Sequence, residues 1–402
     1  MVRFPIRRLT ALALTCAFLI AGCNLKSGSD SGTSPIGKTP GMPQTFAWQP
    51  GFDSPPDFTP MTGSGAMVLT QKEAEAAARQ MSPQAQGMRS WSELSFALEQ
   101  SLAHASSKSA SAKAVSMQGL TLTYGQMTQT LRHLQSLLPR LDKDPGLLAK
   151  EFTWYRVGPD FLYTGYFEPT LKASRKKSTA YPYPLYRKPP DLKSGKPYYT
   201  RNQIDRQGVL SGKGLEIAWV SSEMDAFFLH IQGSGRLVFE DGSVTHVLYA
   251  GKNNRAYVPI GRVMRDQGML EPDNVNMKSI RECLLGNPEK CQEIYDSNPS
   301  YVFFREAAKG PIGGMGRPLT PYVSIAVDRS VVPHGALTFS ILPLPDQVGA
   351  PRRSFYGITL PQDTGGAIKG RRADLFCGPG PEAPHLAGYL NYRGATYVLV
   401  KK

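Results

Sequence analysis

The chain has 402 residues, 41% of them hydrophobic, with 46 Lys and Arg against 32 Asp and Glu for a net charge of +14. That length and apolar content exclude a wholly disordered chain and favour two domains over one, while 39 Gly and 33 Pro make it rich in turns. The basic balance suits a polyanionic surface: nucleic acid, acidic lipid or a carboxylate-bearing cell wall.

Arg3, Arg7 and Arg8 form a basic start, and an apolar run from Leu9 to Ala21 ends in Ile20-Ala21-Gly22-Cys23. A run this short reads as a secretory signal rather than a membrane span. Small residues before Cys23 fit a lipoprotein signal peptidase, which cuts ahead of a cysteine already carrying a diacylglycerol. An ordinary signal with a chance cysteine is the alternative. Cleavage at residue 22 leaves a charge of +14 − 3 = +11. Export argues against nucleic acid as a partner. Asn24, rather than aspartate, after Cys23 predicts a lipid anchor in the outer membrane, facing the periplasm. Residues 24–44 are mostly Ser, Gly, Pro and Lys and read as a flexible tether.

Helical spacing is clearest over Gln71–Gln80, Trp91–His104 and Tyr124–Leu138, and Asp144-Pro145 reads as an N-cap with proline at the first helical position. After Phe161 short strands and turns take over. Leu237–Glu240 and Ser243–Tyr249 flank Asp241-Gly242, which predicts a hairpin with a type I′ turn. Helices are expected over Met277–Leu285 and Pro288–Ser297, the second capped by Asn287. That places Cys283 and Cys291 on facing arms, where they are either bridged or a reduced pair. Five strands follow: Tyr322–Val327, Ala336–Leu342, Ser354–Leu360, Ala373–Cys377 and Ala395–Val400. The expected architecture is an all-β core with helical decoration.

Six scattered histidines, no His-Glu-x-x-His and no zinc-spaced cysteine pair give no reason to expect a metal or other cofactor. Gly310–Gly316 lacks the lysine of a phosphate loop, and Gly233-Ser234-Gly235 lacks the spacing of a serine-hydrolase elbow. Its flanks, Gln232 and Arg236, suit a hydroxyl-rich ligand, although a plain connecting loop explains the spacing equally well. Asp328, Asp363 and Asp374 each lie beside the end of an apolar run, and Gly365-Gly366 permits a tight turn between the last two. Crowding or burial raises a carboxyl pKa, and a carboxyl neutral near neutral pH is what general-acid cleavage of a glycosidic bond needs. Each aspartate alone reads as a turn cap; three on adjacent strand ends point to a site.

This C-terminal stretch resembles the three-aspartate domain of the membrane-bound lytic murein transglycosylase A family. The likeness extends through Tyr163-Thr164-Gly165-Tyr166-Phe167-Glu168-Pro169, Tyr199-Thr200-Arg201, Asp225–Arg236 and Tyr249-Ala250-Gly251-Lys252-Asn253, covering residues 150–402. It implies a mainly β fold: a double-psi β-barrel built from residues 45–167 and 311–402, a second β-domain inserted at 168–310, and a groove between them for glycan. By the resemblance Asp374 is the catalytic acid, Asp363 orients it and keeps it protonated, and Asp328 completes the trio by holding a turn. Thr164, Tyr166, Gln232, Gly233, Ser234 and Arg236 are the implied saccharide contacts. Tyr181, Tyr183, Tyr186, Tyr198 and Tyr199 are candidate stacking surfaces, with ordinary β-sheet residues as the alternative reading for several of them. His230 departs from the family at a position where a polar or acidic residue is expected, and Cys377 replaces a bulkier one.

The implied partner is the glycan strand of peptidoglycan, with cell-wall synthesis or division proteins as further candidates. The implied reaction is lytic cleavage to 1,6-anhydromuramoyl ends. Two other readings stay open: a non-catalytic glycan-binding lipoprotein, and a hydrolase with Glu168 as its second carboxylate.

Overall fold

The structure is a computed structural model that describes residues 65–272, 274–346 and 351–402. Cys23, the expected cleavage site and the expected tether lie outside the described residues.

Strand β1 (Ala66–Val68) leads into α1 (Gln71–Arg79), which starts on a capping box: the Thr70 hydroxyl accepts from Glu73 N–H, and Glu73 accepts from Thr70 N–H. A single 3₁₀ turn over Trp91–Leu94 opens α2 (Ser95–Ser106). The hairpin β2 (Lys113–Met117) and β3 (Leu120–Thr123) precedes α3 (Tyr124–Leu141), started by a second capping box, Thr123 with Gln126. α4 (Leu147–Glu151) begins later than the Asp144-Pro145 signal predicts; Leu147 N–H donates to Asp144 O at 3.2 Å in a turn ahead of it, and the Asp144 carboxylate accepts from Lys150 Nζ at 2.9 Å and from Gly146 N–H. These helices bury Leu98, Leu131, Leu134 and Leu138 in one core with Trp154 and Phe339. Strands β4 (Phe152–Val157) and β5 (Phe161–Tyr166) complete this half.

The middle of the chain forms its own sheet. It comprises β6 (Thr170–Ser174), β7 (Tyr183–Tyr186), α5 (Arg201–Asp205), β8 (Glu216–Val220), α6 (Glu223–Gln232), β9 (Ser234–Phe239) and β10 (Val244–Lys252). α7 (Ile260–Asp266), α8 (Met277–Gly286), α9 (Cys291–Asp296) and β11 (Val302–Ala307) follow. The strand order is β11-β10-β9-β6-β8-β7, and a bridge between Arg187 and Phe304 brings the two edges together. The expected β9–β10 hairpin is present, but its turn is not type I′. Phe239 accepts from Gly242 N–H and donates to Ser243 O, so three residues form the loop, and of Asp241 and Gly242 only the glycine has positive φ, +80°. The Asp241 carboxylate instead accepts from Ser243 N–H and Oγ.

Cys283 and Cys291 are unbridged. Each thiol donates to a main-chain carbonyl instead, Met269 O at 3.4 Å and Leu284 O at 3.2 Å. The expected second helix is a 3₁₀ turn, Pro288–Lys290, running into α9; Asn287 is its N-cap residue but makes no side-chain cap bond, and its amide donates to Cys283 O at 2.8 Å at the end of α8.

The last segment returns to the first. It carries β12 (Ser324–Val327), β13 (Thr338–Pro345), β14 (Pro351–Asp363), β15 (Arg372–Phe376), α10 (Ala383–Tyr389) and β16 (Asn391–Lys401). β12 starts later than expected because Tyr322 has φ +59° and cannot continue a strand. The order β16-β13-β14-β12-β15-β5 closes when β5 pairs again with β16, giving a six-stranded barrel. β16 is long enough to serve both neighbours: Asn391–Gly394 pair with β5, and Ala395–Val398 pair with β13. Tyr163 OH fastens the closure, bonded to Ser340 Oγ at 2.8 Å and Thr396 Oγ1 at 2.6 Å. The fold is thus mainly β, with a barrel built from two chain segments and a second β-domain between them.

Candidate active site

Strand register brings two carboxylates to one place. Ala326 of β12 lies opposite both Asp363 of β14 and Asp374 of β15, so the aspartates flank a small residue on the same sheet face. Asp374 is also opposite Thr164 of β5. The Thr164 hydroxyl donates to Asp374 Oδ1 at 2.8 Å and accepts from Arg372 Nη2 at 3.2 Å. Burial raises the Asp374 pKa to about 6; Thr164 and the Arg372 charge pull it down, and Asp363 pushes it up. The carboxyl is partly open to solvent, yet protein surrounds it on most sides.

Asp363 is held differently. Its Oδ2 accepts from Tyr166 OH at 2.7 Å, and its Oδ1 accepts from Gly314 N–H at 2.7 Å and Thr364 N–H at 2.8 Å. Burial still raises its pKa against those three donors. Asp328 stands apart from this pair in its bonding. Its carboxylate accepts from Ser330 N–H, Ser330 Oγ–H and Gly370 N–H, which together hold its pKa below the usual range.

The Gln232–Arg236 turn anchors the crossing between the two β-domains. Gln232 Oε1 accepts from Phe167 N–H at 3.0 Å, and Arg236 N–H donates to Pro169 O at 2.8 Å. Gly233 takes φ +79° to end α6, and Ser234 opens β9. Arg236 Nε is buried and unpartnered among the described residues, and Gln232 Nε2 meets only Met277 Sδ at 3.8 Å. Glu168 is buried and paired with His246 Nδ1 at 2.7 Å, so it is not the free second carboxylate that hydrolysis needs. Of the tyrosines, Tyr186 is core and Tyr198 bonds Asp191, whereas Tyr199 offers an exposed ring.

Sequence reasoning missed three partners of the aspartates. Arg372 lies two residues before Asp374 on one strand, hence on the same face, and that spacing was its readable signal. Gly314 and His334, whose ring is bonded to Asp363 O at 3.0 Å, come from distant loops and carry no local signal. Among the described residues no three His, Cys, Asp or Glu form a metal-binding group.

Two family models match the chain: an "MltA specific insert domain" over residues 162–305 and a "3D domain" over 323–400. A membrane-bound lytic murein transglycosylase A of Vibrio cholerae is 37% identical over 242 residues, 59% of this chain and 65% of that protein. The protein of the same name from Escherichia coli is 32% identical over 308 residues, 70% of this chain and 83% of its own length. Among solved structures, a membrane-bound lytic murein transglycosylase from Agrobacterium tumefaciens matches with TM-score 0.70 at 29% identity, over 84% of this chain and 98% of that one. E. coli MltA with bound chitohexaose matches with TM-score 0.65 at 29% identity, over 77% and 90%.

Proposed function

The chain belongs to the membrane-bound lytic murein transglycosylase A family, and we propose that it cleaves peptidoglycan between N-acetylmuramic acid and N-acetylglucosamine as a lytic transglycosylase. The observation that carries this reading is Asp374, a carboxyl with one neutral donor and a pKa pushed up to about 6 by burial. Protonated Asp374 donates to the glycosidic oxygen as the bond to C1 of the muramoyl residue breaks. The resulting carboxylate takes the proton from the C6 hydroxyl of that residue as its oxygen attacks C1. Attack from within the same sugar gains from proximity and consumes no water, so the product carries a 1,6-anhydro end and the acid is regenerated.

Thr164 is the group that orients Asp374, and Arg372 in turn holds Thr164. Asp363, Tyr166 and Gly314 shape the turn beside it. We assign the spare donors of Arg236 and Gln232 to saccharide, consistent with the chitohexaose carried by the E. coli relative. Asp328 serves the turn and not the chemistry. Anchoring through a lipid on Cys23 in the outer membrane is part of the same proposal, in keeping with relatives named membrane-bound.

Digestion of purified sacculi in ¹⁸O-labelled water tests the reaction. Anhydro ends with no label are expected; labelled reducing ends would move the protein to the hydrolases.

A further inference from the structure

Helix α2 carries no residue of the proposed chemistry, yet the end of β14 is fastened to it. The Gln362 amide donates to Ala97 O at 2.8 Å and to Ser101 Oγ at 2.9 Å, and Gln362 Oε1 accepts from Ser324 Oγ at 2.6 Å. All three of these side chains are buried. The next residue of the strand is Asp363, and a loop that also touches α2 meets it there. In that loop Gly335, at φ +81°, donates its N–H to Pro361 O at 2.9 Å. A Cβ on Gly335 would stand 3.3 Å from Ser101 O and 3.4 Å from His104 Cδ2, so the glycine lets the loop approach α2 closely.

The same loop brings in His334, 4% exposed. Its ring meets the His104 ring of α2 edge-on, with centroids 5.9 Å apart. Its Nε2 lies 3.0 Å from Asp363 O; a carbonyl only accepts, so Nε2 carries the ring hydrogen and donates. The ring also backs Gly314, where a Cβ would come within 3.4 Å of His334 Cε1 and 2.8 Å of Thr364 Oγ1. Gly314 and Thr364 supply the two N–H groups that hold Asp363 Oδ1. One buried imidazole thus bonds the Asp363 main chain and packs on a donor to its carboxylate.

That bond asks for a neutral ring. The groups around it are His104 and Lys108 of α2, Arg317 ahead of β12 and Arg329 beyond it. Burial, with His104 and Arg329 adding to it, pushes the His334 pKa down to about 4 against the pull of the Asp363 carbonyl. An ordinary histidine, near about 6.5, would change charge in the range where Asp374 does, about 6. His334 stays neutral through that range, so the support under Asp363 is constant while the acid titrates.

We propose that His334 is a positioning residue for the proposed cleavage, the reading on which this inference rests: its Nε2–H fixes the Asp363 main chain and its ring braces Gly314, so that α2 sets where the Asp363 carboxylate stands relative to Asp374. Asp363 and Asp374 flank Ala326, and the Asp363 charge helps to keep Asp374 protonated. A loosened turn carries Asp363 away and weakens that help. His334 itself touches no substrate and moves no proton.

The test compares His334→Gln with His334→Leu in the full chain. The glutamine places an N–H close to where Nε2 stands, and the leucine fills similar space with no donor. In His334→Leu, kcat for anhydro-product release from sacculi should fall roughly tenfold with KM little changed, and His334→Gln should stay within about threefold of wild type. The falling limb of kcat/KM, set by Asp374 at about 6, should move to lower pH in His334→Leu alone. A ring that only filled the core would give the reverse order, since leucine is the better buried side chain, and would leave the limb in place. Either of those results overturns the proposal. Should His334→Leu not fold, the wild-type ring decides. With ¹⁵N-labelled histidine, the His334 signal, assigned by its loss in His334→Gln, should keep its hydrogen on Nε2 from about pH 5 to about pH 8. A hydrogen on Nδ1, or titration near about 6.5, overturns it as well. The tautomer is read without turnover, and the anhydro product is read on the wild type, so this inference and the proposed reaction fail separately.

Discussion

At the end of β12, Asp328 receives three hydrogen bonds from Ser330 and Gly370 and stays strongly acidic. On the neighbouring strand, Asp374 receives one, from Thr164, and burial takes its pKa up to about 6. Asp363 lies between these extremes, with three donors like Asp328 but burial enough to raise it. Donors stabilise a carboxylate and burial penalises it, so the two positions, one just past β12 and one in the middle of β15, differ in which effect prevails. The same residue type therefore becomes a turn fixture in one place and an acid in the other.

The largest effect should come from Asp374→Asn, which keeps the side-chain shape but moves no proton. General acid–base catalysis contributes on the order of 10²–10⁴ in rate, and with one residue serving both steps the loss should reach the top of that range. Muropeptide release from sacculi measures it, and co-sedimentation with sacculi should be retained. Asp328→Asn should cleave within about threefold of wild type; a loss comparable to Asp374→Asn would erase the distinction between the two positions. Thr164→Val removes the one hydroxyl that orients Asp374 and should cost roughly tenfold in the same assay, with KM little changed.

The trio was legible because each aspartate lies at or beside the end of an apolar run in the sequence, but its division of labour was not, and Asp374 proves to be the middle residue of β15. Strand alternation cannot say that Ala326 faces both Asp363 and Asp374, since that depends on which strands become neighbours. Thr164 and Tyr166 were read as saccharide contacts, and in the structure their hydroxyls bond the two carboxylates, a pairing across about 200 residues of chain that no local pattern encodes. Helices α1 and α3 were readable from spacing, and the capping boxes that start them, Thr70 with Glu73 and Thr123 with Gln126, came to light with the structure. Asn287 takes the N-cap place ahead of Pro288 as read, but its amide is turned back to the Cys283 carbonyl, and after Asp144 the regular helix starts only at Leu147. The hairpin at Asp241-Gly242 was readable, but its turn type depended on whether Glu240 joined the strand or the loop.

The two carboxyls should also separate in pH dependence. Cleavage needs Asp374 protonated, so kcat/KM should fall as pH rises through about 6. The Arg372 charge lowers that pKa, so Arg372→Gln should move the falling limb to higher pH, by up to about one unit for a partly exposed pair. An unmoved limb would show that Arg372 acts on Thr164 alone.

The smallest expected effect is on stability, and there the two aspartates should have opposite signs. Asp374 has a folded pKa above its unfolded one, so the wild-type protein loses stability as pH rises through about 6. Asp374→Asn should therefore raise the unfolding free energy at pH 7.5, by roughly 1–2 kcal/mol once partial exposure is discounted, and change it little below the unfolded pKa of about 4. Asp328 has a folded pKa below its unfolded one, so its contribution is present above the ordinary carboxylate range and lost as pH falls through the depressed value. Asp328→Asn keeps Oδ1 for Ser330 but turns an amide donor toward Gly370 N–H, so it should lower stability at pH 7.5 by about 1 kcal/mol, the scale of one lost hydrogen bond, and by less as the medium is acidified. Urea unfolding of both variants at pH 7.5 and pH 4 measures the signs. If both variants shift stability in the same direction at pH 7.5, burial and donor count do not distinguish these two positions.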